Sequence, residues 1–209
     1  MDIKFETKNR IALTYVNGAK GTLSEADVGY LLDHIKLLGE NSKYVETGSY
    51  LGCSALLAAL NSPATVWAHD IWIEDWSTLD GTVPPPEEQD YFFKFYENIL
   101  NNKMENRIIP IRGNSAYTLK IHKPNSIDLA FIDGDHSYEG CMADLELLYP
   151  CMKPGSFILL HDCYFDMPPY KAVNDFVNKY GLMYEMTWDS SGLFRIPIPM
   201  NRVPNDSPH

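Results

Sequence analysis

The sequence predicts an α/β fold: a doubly wound, seven-stranded, mostly parallel sheet with an antiparallel last strand and helices on both faces. Two observations carry this. Apolar runs of strand length alternate with segments of helical period through most of the chain, as βαβ units do. The last two strands are joined only by Asp189-Ser-Ser-Gly192, too short for a parallel crossover, so that pair must be a hairpin. The length of 209 residues suits one core, and residues 1–209 are expected to form a single domain.

The elements follow in order. Residues before 23 read as a leader, and 23–39 as a first helix, with apolar residues on one stripe and a closing glycine. The core, 40–196, opens with a strand at 44–46, a helix at 52–60 and a strand at 65–70. A helix near 88–100 and a strand at 107–111 come next. The second half continues with strand 127–132, helix 138–149, strand 156–160 after Pro154-Gly155, helix 170–180, and closing strands at 183–188 and 193–196. Between Trp72 and Asp90 runs a long irregular stretch with Pro84-Pro85-Pro86, the kind of loop that forms a lid or binding loop. The segment 197–209 reads as a peripheral tail.

Composition excludes several classes. Hydrophobic residues make up 45% and charged residues 22%, a soluble balance that argues against disorder or a fibrous rod. The net charge is −11, the wrong sign for a protein that neutralises phosphates, so nucleic acid is not an expected partner. Cys53, Cys141, Cys151 and Cys163 show no C-x-x-C or zinc-knuckle spacing and read as reduced thiols. No secretory h-region and no run of ~18 apolar residues is present, so a cytoplasmic protein without a membrane segment is expected.

Chemistry concentrates at strand ends. The first core strand runs into Glu46-Thr-Gly48-Ser-Tyr50-Leu-Gly52-Cys-Ser54 and then a helix, a turn that lets a ligand approach backbone N–H groups. The spacing is G-x-x-x-G rather than G-x-G-x-x-G, and Glu46 would repel a pyrophosphate but suits a cationic ligand. Asp70 ends the second strand, where an ionised carboxylate can accept from two hydroxyls. Gly113-Asn114-Ser115 follows the third strand, with Asn114 or Ser115 able to cap a helix; Arg112 reads as structural. Asp133 and Asp162 end two strands expected to be neighbours, roughly 5 Å apart, where carboxylates would suit a hard cation.

Glu46-x-Gly48-x-Tyr50-x-Gly52-x-Ser54 resembles motif I of class I S-adenosylmethionine-dependent methyltransferases, particularly the catechol O-methyltransferase-like group. Asp133-Gly-Asp-His-Ser-Tyr-Glu-Gly140, Lys153-Pro-Gly155 and His161-Asp162 resemble the subgroup of cephalosporin-biosynthesis and macrolide-sugar O-methyltransferases. The resemblance implies a Rossmann-like sheet. It places the cofactor on Glu46, Gly48, Tyr50, Gly52 and Ser54, its ribose on Asp70 beside Ile71, its adenine at Asn114 and Ser115, and Asp133 against it. It implies Mg²⁺ as a further cofactor, held by Asp133, Asp162 and His161. Cys163 beside them is a soft ligand, and His161 would start on the face opposite Asp162 unless the chain turns. His136, three residues after Asp133, falls on the family's base position, and its ordinary pKa suits proton transfer. Trp72, Trp76, Tyr164, Phe165 and Trp188 are candidates to line an acceptor pocket.

The resulting expectation is O-methylation of a small hydroxylated acceptor by a possible homo-oligomer. Its rivals are an NAD(P)-dependent oxidoreductase and a non-catalytic S-adenosylmethionine-binding domain.

Overall fold

The computed structural model describes residues 1–8, 11–73, 90–186 and 192–202. The segment read as a leader is a three-stranded antiparallel sheet: β1 (Ile3–Lys8), β2 (Ile11–Val16) and β3 (Ala19–Gly21), in that order. Its signal is Asn17-Gly18 between Val16 and Ala19. Both turn residues take positive φ, 48° and 93°, as the two-residue hairpin loop matched to strand twist requires.

The chain continues through helix α1 (Glu25–Ile35), β4 (Lys43–Thr47), α2 (Cys53–Asn61), β5 (Thr65–Asp70) and α3 (Phe92–Asn101). It then forms β6 (Ile108–Arg112), a four-residue helix α4 (Ser115–Thr118), β7 (Ile127–Ile132), α5 (Tyr138–Leu148) and β8 (Met152–Leu160). Helix α6 (Pro168–Tyr180), β9 (Glu185–Met186) and β10 (Phe194–Pro197) close it. The seven later strands form one sheet in the order β6-β5-β4-β7-β8-β10-β9. Pairs from β6 to β8 are parallel, and β10 runs antiparallel to both its neighbours, so the reversed strand lies inside the sheet rather than at its rim.

The alternation of side chains along β4, β7 and β8 divides the interior in two. Tyr44, Leu129, Phe131 and Leu159 pack with α1, α2, α3 and the small sheet on one face. Val45, Ala130, Ile132, Ile158 and Leu160 pack with α5 and α6 on the other. Ser24 caps α1 in a capping box with Asp27, and the helix stops short of the expected 39 because Leu37 and Leu38 turn back onto the carbonyls of His34 and Ile35. Pro168 opens α6 and Gly181, in the left-handed region, ends it. Among the described residues no helix is long and apolar enough to cross a membrane, and the four cysteines are buried and free.

Candidate active site

Parallel strands end together, so the turns after β4, β5, β7 and β8 share one edge of the sheet. Hydrogen bonds lock those ends in register: Gly48 N donates to His69 O at 2.9 Å, Asp133 N to Thr47 O at 3.0 Å and His161 N to Ile132 O at 3.0 Å.

Gly48 has φ 82°, and a Cβ on it would stand 2.0 Å from the carbonyl oxygen of Asp133. The glycine is therefore required by the close approach of two chain turns, whatever ligand lies above them. Gly52, at φ 88°, is the left-handed residue that starts α2, with Phe95 packed where its side chain would be. Between them Tyr50 also has positive φ, 47°, and its N–H donates to Asp70 Oδ2 at 2.8 Å.

Glu46 is fully buried. Tyr44 donates its hydroxyl to Oε2 at 3.0 Å, and the buried hydroxyls of Ser49 and Ser54 also face the carboxylate and favour its ionised form, although Oε1 and Ser49 Oγ make no hydrogen bond of good geometry. Burial pushes the Glu46 carboxyl up to about 7. Ser54 lies buried in the first turn of α2. Asp70 uses both oxygens on backbone, since Trp72 N donates to Oδ1 at 2.6 Å, and burial raises its pKa despite these bonds. Ile71 beside it is exposed.

Trp72 does not line an acceptor pocket. It is 1% exposed, packs against Phe92 and Phe95, and donates its indole N–H to Tyr50 O at 2.8 Å, pinning the β4 and β5 turns together. Trp76 and Trp188 lie outside the described residues, as does the triple proline; Tyr164 and Phe165 are exposed. Asn114 caps α4 by accepting from Ala116 N at 2.9 Å, and the Ser115 hydroxyl faces Asp144. Arg112 pairs with Asp90 at 3.0 Å and lies over Phe92, a structural role.

The ends of β7 and β8 carry a cluster of acids and imidazoles. His136 Nε2 lies 3.5 Å from Asp133 Oδ1 and its Nδ1 3.7 Å from Asp162 Oδ2. Asp162 has φ 56°, the turn that brings it to the same side as His161. His161 is 2% exposed in its side chain, with Nδ1 3.1 Å from Asp133 Oδ1 and Nε2 3.3 Å from Asp27 Oδ2 on α1. Both its ring nitrogens thus face carboxylates, and His161 bridges Asp27 and Asp133. Asp27, which also closes the α1 capping box with Ser24, completes that bridge. The atoms that converge as a ligand set are those of Asp133, His136 and Asp162, within 4.8 Å of one another.

The charges order the titrations. Burial works against the Asp133 carboxylate, but His161 and His136 outweigh it and hold its pKa low. The hydrogen bond to Asp133 raises His136 above its ordinary value, partly offset by burial. Burial opposes the His161 cation, yet Asp133, Asp162 and Asp27 push its pKa well up.

A glycine-tight turn, a strand-end acid and an acid–imidazole cluster thus gather on one edge of this sheet. A family profile described as a methyltransferase domain matches residues 45–163, more than half the chain, and the chain belongs to that family. Among solved structures, the O-methyltransferase NovP is similar with a TM-score of 0.66 at 18% identity, over 84% of this chain and 81% of its own. An O-methyltransferase from Bacillus cereus in complex with SAH gives 0.61 at 15% identity, over 84% and 81%. A methyltransferase from Geobacter sulfurreducens gives 0.60 at 12% identity, over 84% and 79%. These likenesses are of fold. The uncharacterized protein R132 of Acanthamoeba polyphaga mimivirus is 44% identical over 39 residues, 19% of this chain; the match spans only 18% of that relative's length.

Proposed function

We propose that the chain transfers a methyl group from S-adenosylmethionine to a hydroxyl of a small acceptor in the cytoplasm. One observation carries the reading: a fully buried carboxylate at the end of β4, Glu46, shares a sheet edge with an acid–imidazole cluster at the ends of β7 and β8.

The residues fit the cofactor. Glu46 Oε1 and Ser49 Oγ are buried polar atoms that face one another without a hydrogen bond of good geometry, and a ligand or water can complete both. They suit the ammonium and carboxylate of a methionine moiety. Asp70 accepts from the backbone N–H groups of Tyr50, Trp72 and Ile71, and the lone pairs left on its two oxygens can accept from ribose hydroxyls. Gly48, Tyr50, Gly52, Ser54, Ile71, Asn114, Ser115 and Asp133 complete the proposed cofactor set. When bound, S-adenosylmethionine supplies an electrophilic methyl group.

In this reading His136 accepts the hydroxyl proton of the acceptor, and Asp133 and Asp162 stabilise the imidazolium that forms. Asp27 and Asp133 clamp His161, which fixes Asp133 in turn. A second reading is favoured by the converging atoms of Asp133, His136 and Asp162: a divalent cation held by two carboxylates and one imidazole. That donor set suits Mn²⁺, Fe²⁺ or Zn²⁺ better than Mg²⁺, which prefers oxygen ligands alone, and it takes His136 where the sequence suggests His161.

Calorimetric titration with S-adenosylmethionine, S-adenosylhomocysteine and NAD, each with and without Mg²⁺ or Mn²⁺, tests both. S-adenosylhomocysteine is expected to bind and NAD not to. Binding of NAD alone would restore the oxidoreductase reading. Turnover that persists in EDTA would leave His136 as base without metal; loss restored by Mn²⁺ better than by Mg²⁺ would make it a ligand.

A further inference from the structure

The small sheet leaves one long edge open. On its far side β3 is only Ala19–Gly21, and its end is pressed onto α2, where a Cβ on Gly21 would meet Cys53 Cβ at 2.7 Å. The large sheet guards its own rims: β6 is interrupted by Pro110, which has no N–H to offer, and β9 is two residues long. By contrast β1 runs six residues without proline, and its only strand partner among the described residues is β2.

The hydrogen-bond phase of β1 is fixed by Asn17 N, which donates to Asp2 O at 2.8 Å across the β1–β2 pair. Asp2 therefore turns its carbonyl toward β2. By alternation Lys4, Glu6 and Lys8 do the same, while Ile3, Phe5 and Thr7 point their N–H and C=O groups out from the sheet edge. The side chain of Phe5 lies on the face that carries Ile3, which packs on the core, yet it is 39% exposed because none of the described residues covers it beyond the edge.

We propose that β1 is the seam of a symmetric dimer, in which it pairs antiparallel with β1 of a second copy about a two-fold axis at Phe5. The order Asp2-Ile-Lys4-Phe5-Glu6-Thr-Lys8 is self-complementary about that residue. Phe5 meets Phe5, Lys4 meets Glu6, Ile3 meets Thr7 and Asp2 meets Lys8, and each charged pair occurs twice. The outward N–H and C=O of Phe5 exchange with those of its mate, as a hydrogen-bonded antiparallel pair demands. Moving the axis to Lys4 or Glu6 sets like charges opposite one another. The two small sheets become one six-stranded sheet, and the half-exposed Phe5 rings cover each other.

Sedimentation velocity on the full chain across about a hundredfold concentration range tests this. A monomer–dimer equilibrium is expected. Lys4→Glu and Glu6→Lys should each weaken it by about tenfold or more, and the Lys4→Glu/Glu6→Lys double variant should restore it, because only opposed positions can exchange charges. Phe5→Cys should cross-link to itself under mild oxidation, since Cα atoms of such a pair lie about 5.5 Å apart, and Lys8→Cys should not. The native thiols are buried and give no background. A monomer at every concentration overturns the proposal. So does a dimer indifferent to the single changes, one not restored by the double change, or one cross-linked through Lys8→Cys.

Discussion

The two halves of the site are built from different materials. At the ends of β4 and β5 the geometry is set by backbone: positive-φ residues, a glycine that admits Asp133's carbonyl, and N–H groups held by Asp70. At the ends of β7 and β8 it is set by ionisable side chains that hold one another, Asp27–His161–Asp133–His136–Asp162. The first arrangement is tied by backbone hydrogen bonds around the carboxylates of Glu46 and Asp70, suited to holding a ligand. The second changes its charge by moving protons, suited to reaction.

Substitutions should separate these halves. The largest effect is expected from His136→Ala, which should lower turnover by ~10²–10⁴-fold while leaving S-adenosylhomocysteine affinity within about twofold. Wild-type turnover should fall as pH drops through the raised pKa of His136, because the protonated ring cannot accept a proton. A pH–rate profile with near-wild-type turnover for the variant removes His136 from the chemistry.

Next in size, Asp70→Ala should weaken S-adenosylhomocysteine by ~1.5–3 kcal/mol, and Asp70→Asn by less because one acceptor remains. Equal affinity of all three proteins by calorimetry would confine Asp70 to its backbone duties toward Tyr50 and Trp72.

A smaller effect should appear in the pH dependence of binding. Glu46 is held up to about 7, so below neutrality it is protonated and loses its attraction for an ammonium group. S-adenosylhomocysteine affinity should therefore decline toward pH 6, by at most about tenfold per unit, and Glu46→Gln should flatten the dependence. An unflattened slope in the variant would place the titrating group elsewhere.

The smallest effect lies behind β5. His69 Nδ1 meets Thr118 Oγ1 at 2.9 Å and His69 Nε2 meets His122 Nε2 at 3.0 Å, a buried pair. Burial lowers His69 to about 3 and His122 to about 4. Both folded values lie below the unfolded one, so the unfolded chain takes up protons first and stability is lost as pH falls from 6.5 toward 4. Glu46, with its raised pKa, acts in the opposite direction over the same range. The clean measurement is thus a comparison of melting temperatures. Between pH 6.5 and 4.5 the wild type should lose more than a His69→Gln/His122→Gln variant, and parallel curves would contradict the assignment.

How much of this the sequence discloses depends on how local each cause is. The seven strands follow from apolar runs a few residues long, and the order of motifs foretells that Asp133 and Asp162 end neighbouring strands. The small N-terminal sheet was signalled only by Asn17-Gly18, because β1 is exposed along nearly its whole length and shows no buried face of its own. Trp72 looks like a pocket residue in a loop until Phe92 and Phe95 are seen to bury it. Gly48 reads as ligand clearance, whereas the obstacle is Asp133, 85 residues on. Nothing local to His161 discloses its second carboxylate, Asp27, 134 residues away.

That last contact bears on where this protein can be cut. A fragment spanning only the profile-matched stretch, 45–163, or the strands from Lys43 onward, would carry every motif residue named above. It would lack Asp27, and His161 would keep a buried positive charge with one carboxylate fewer to answer it. Helix α1 therefore belongs structurally with the cluster it supports, although the family profile begins only at residue 45.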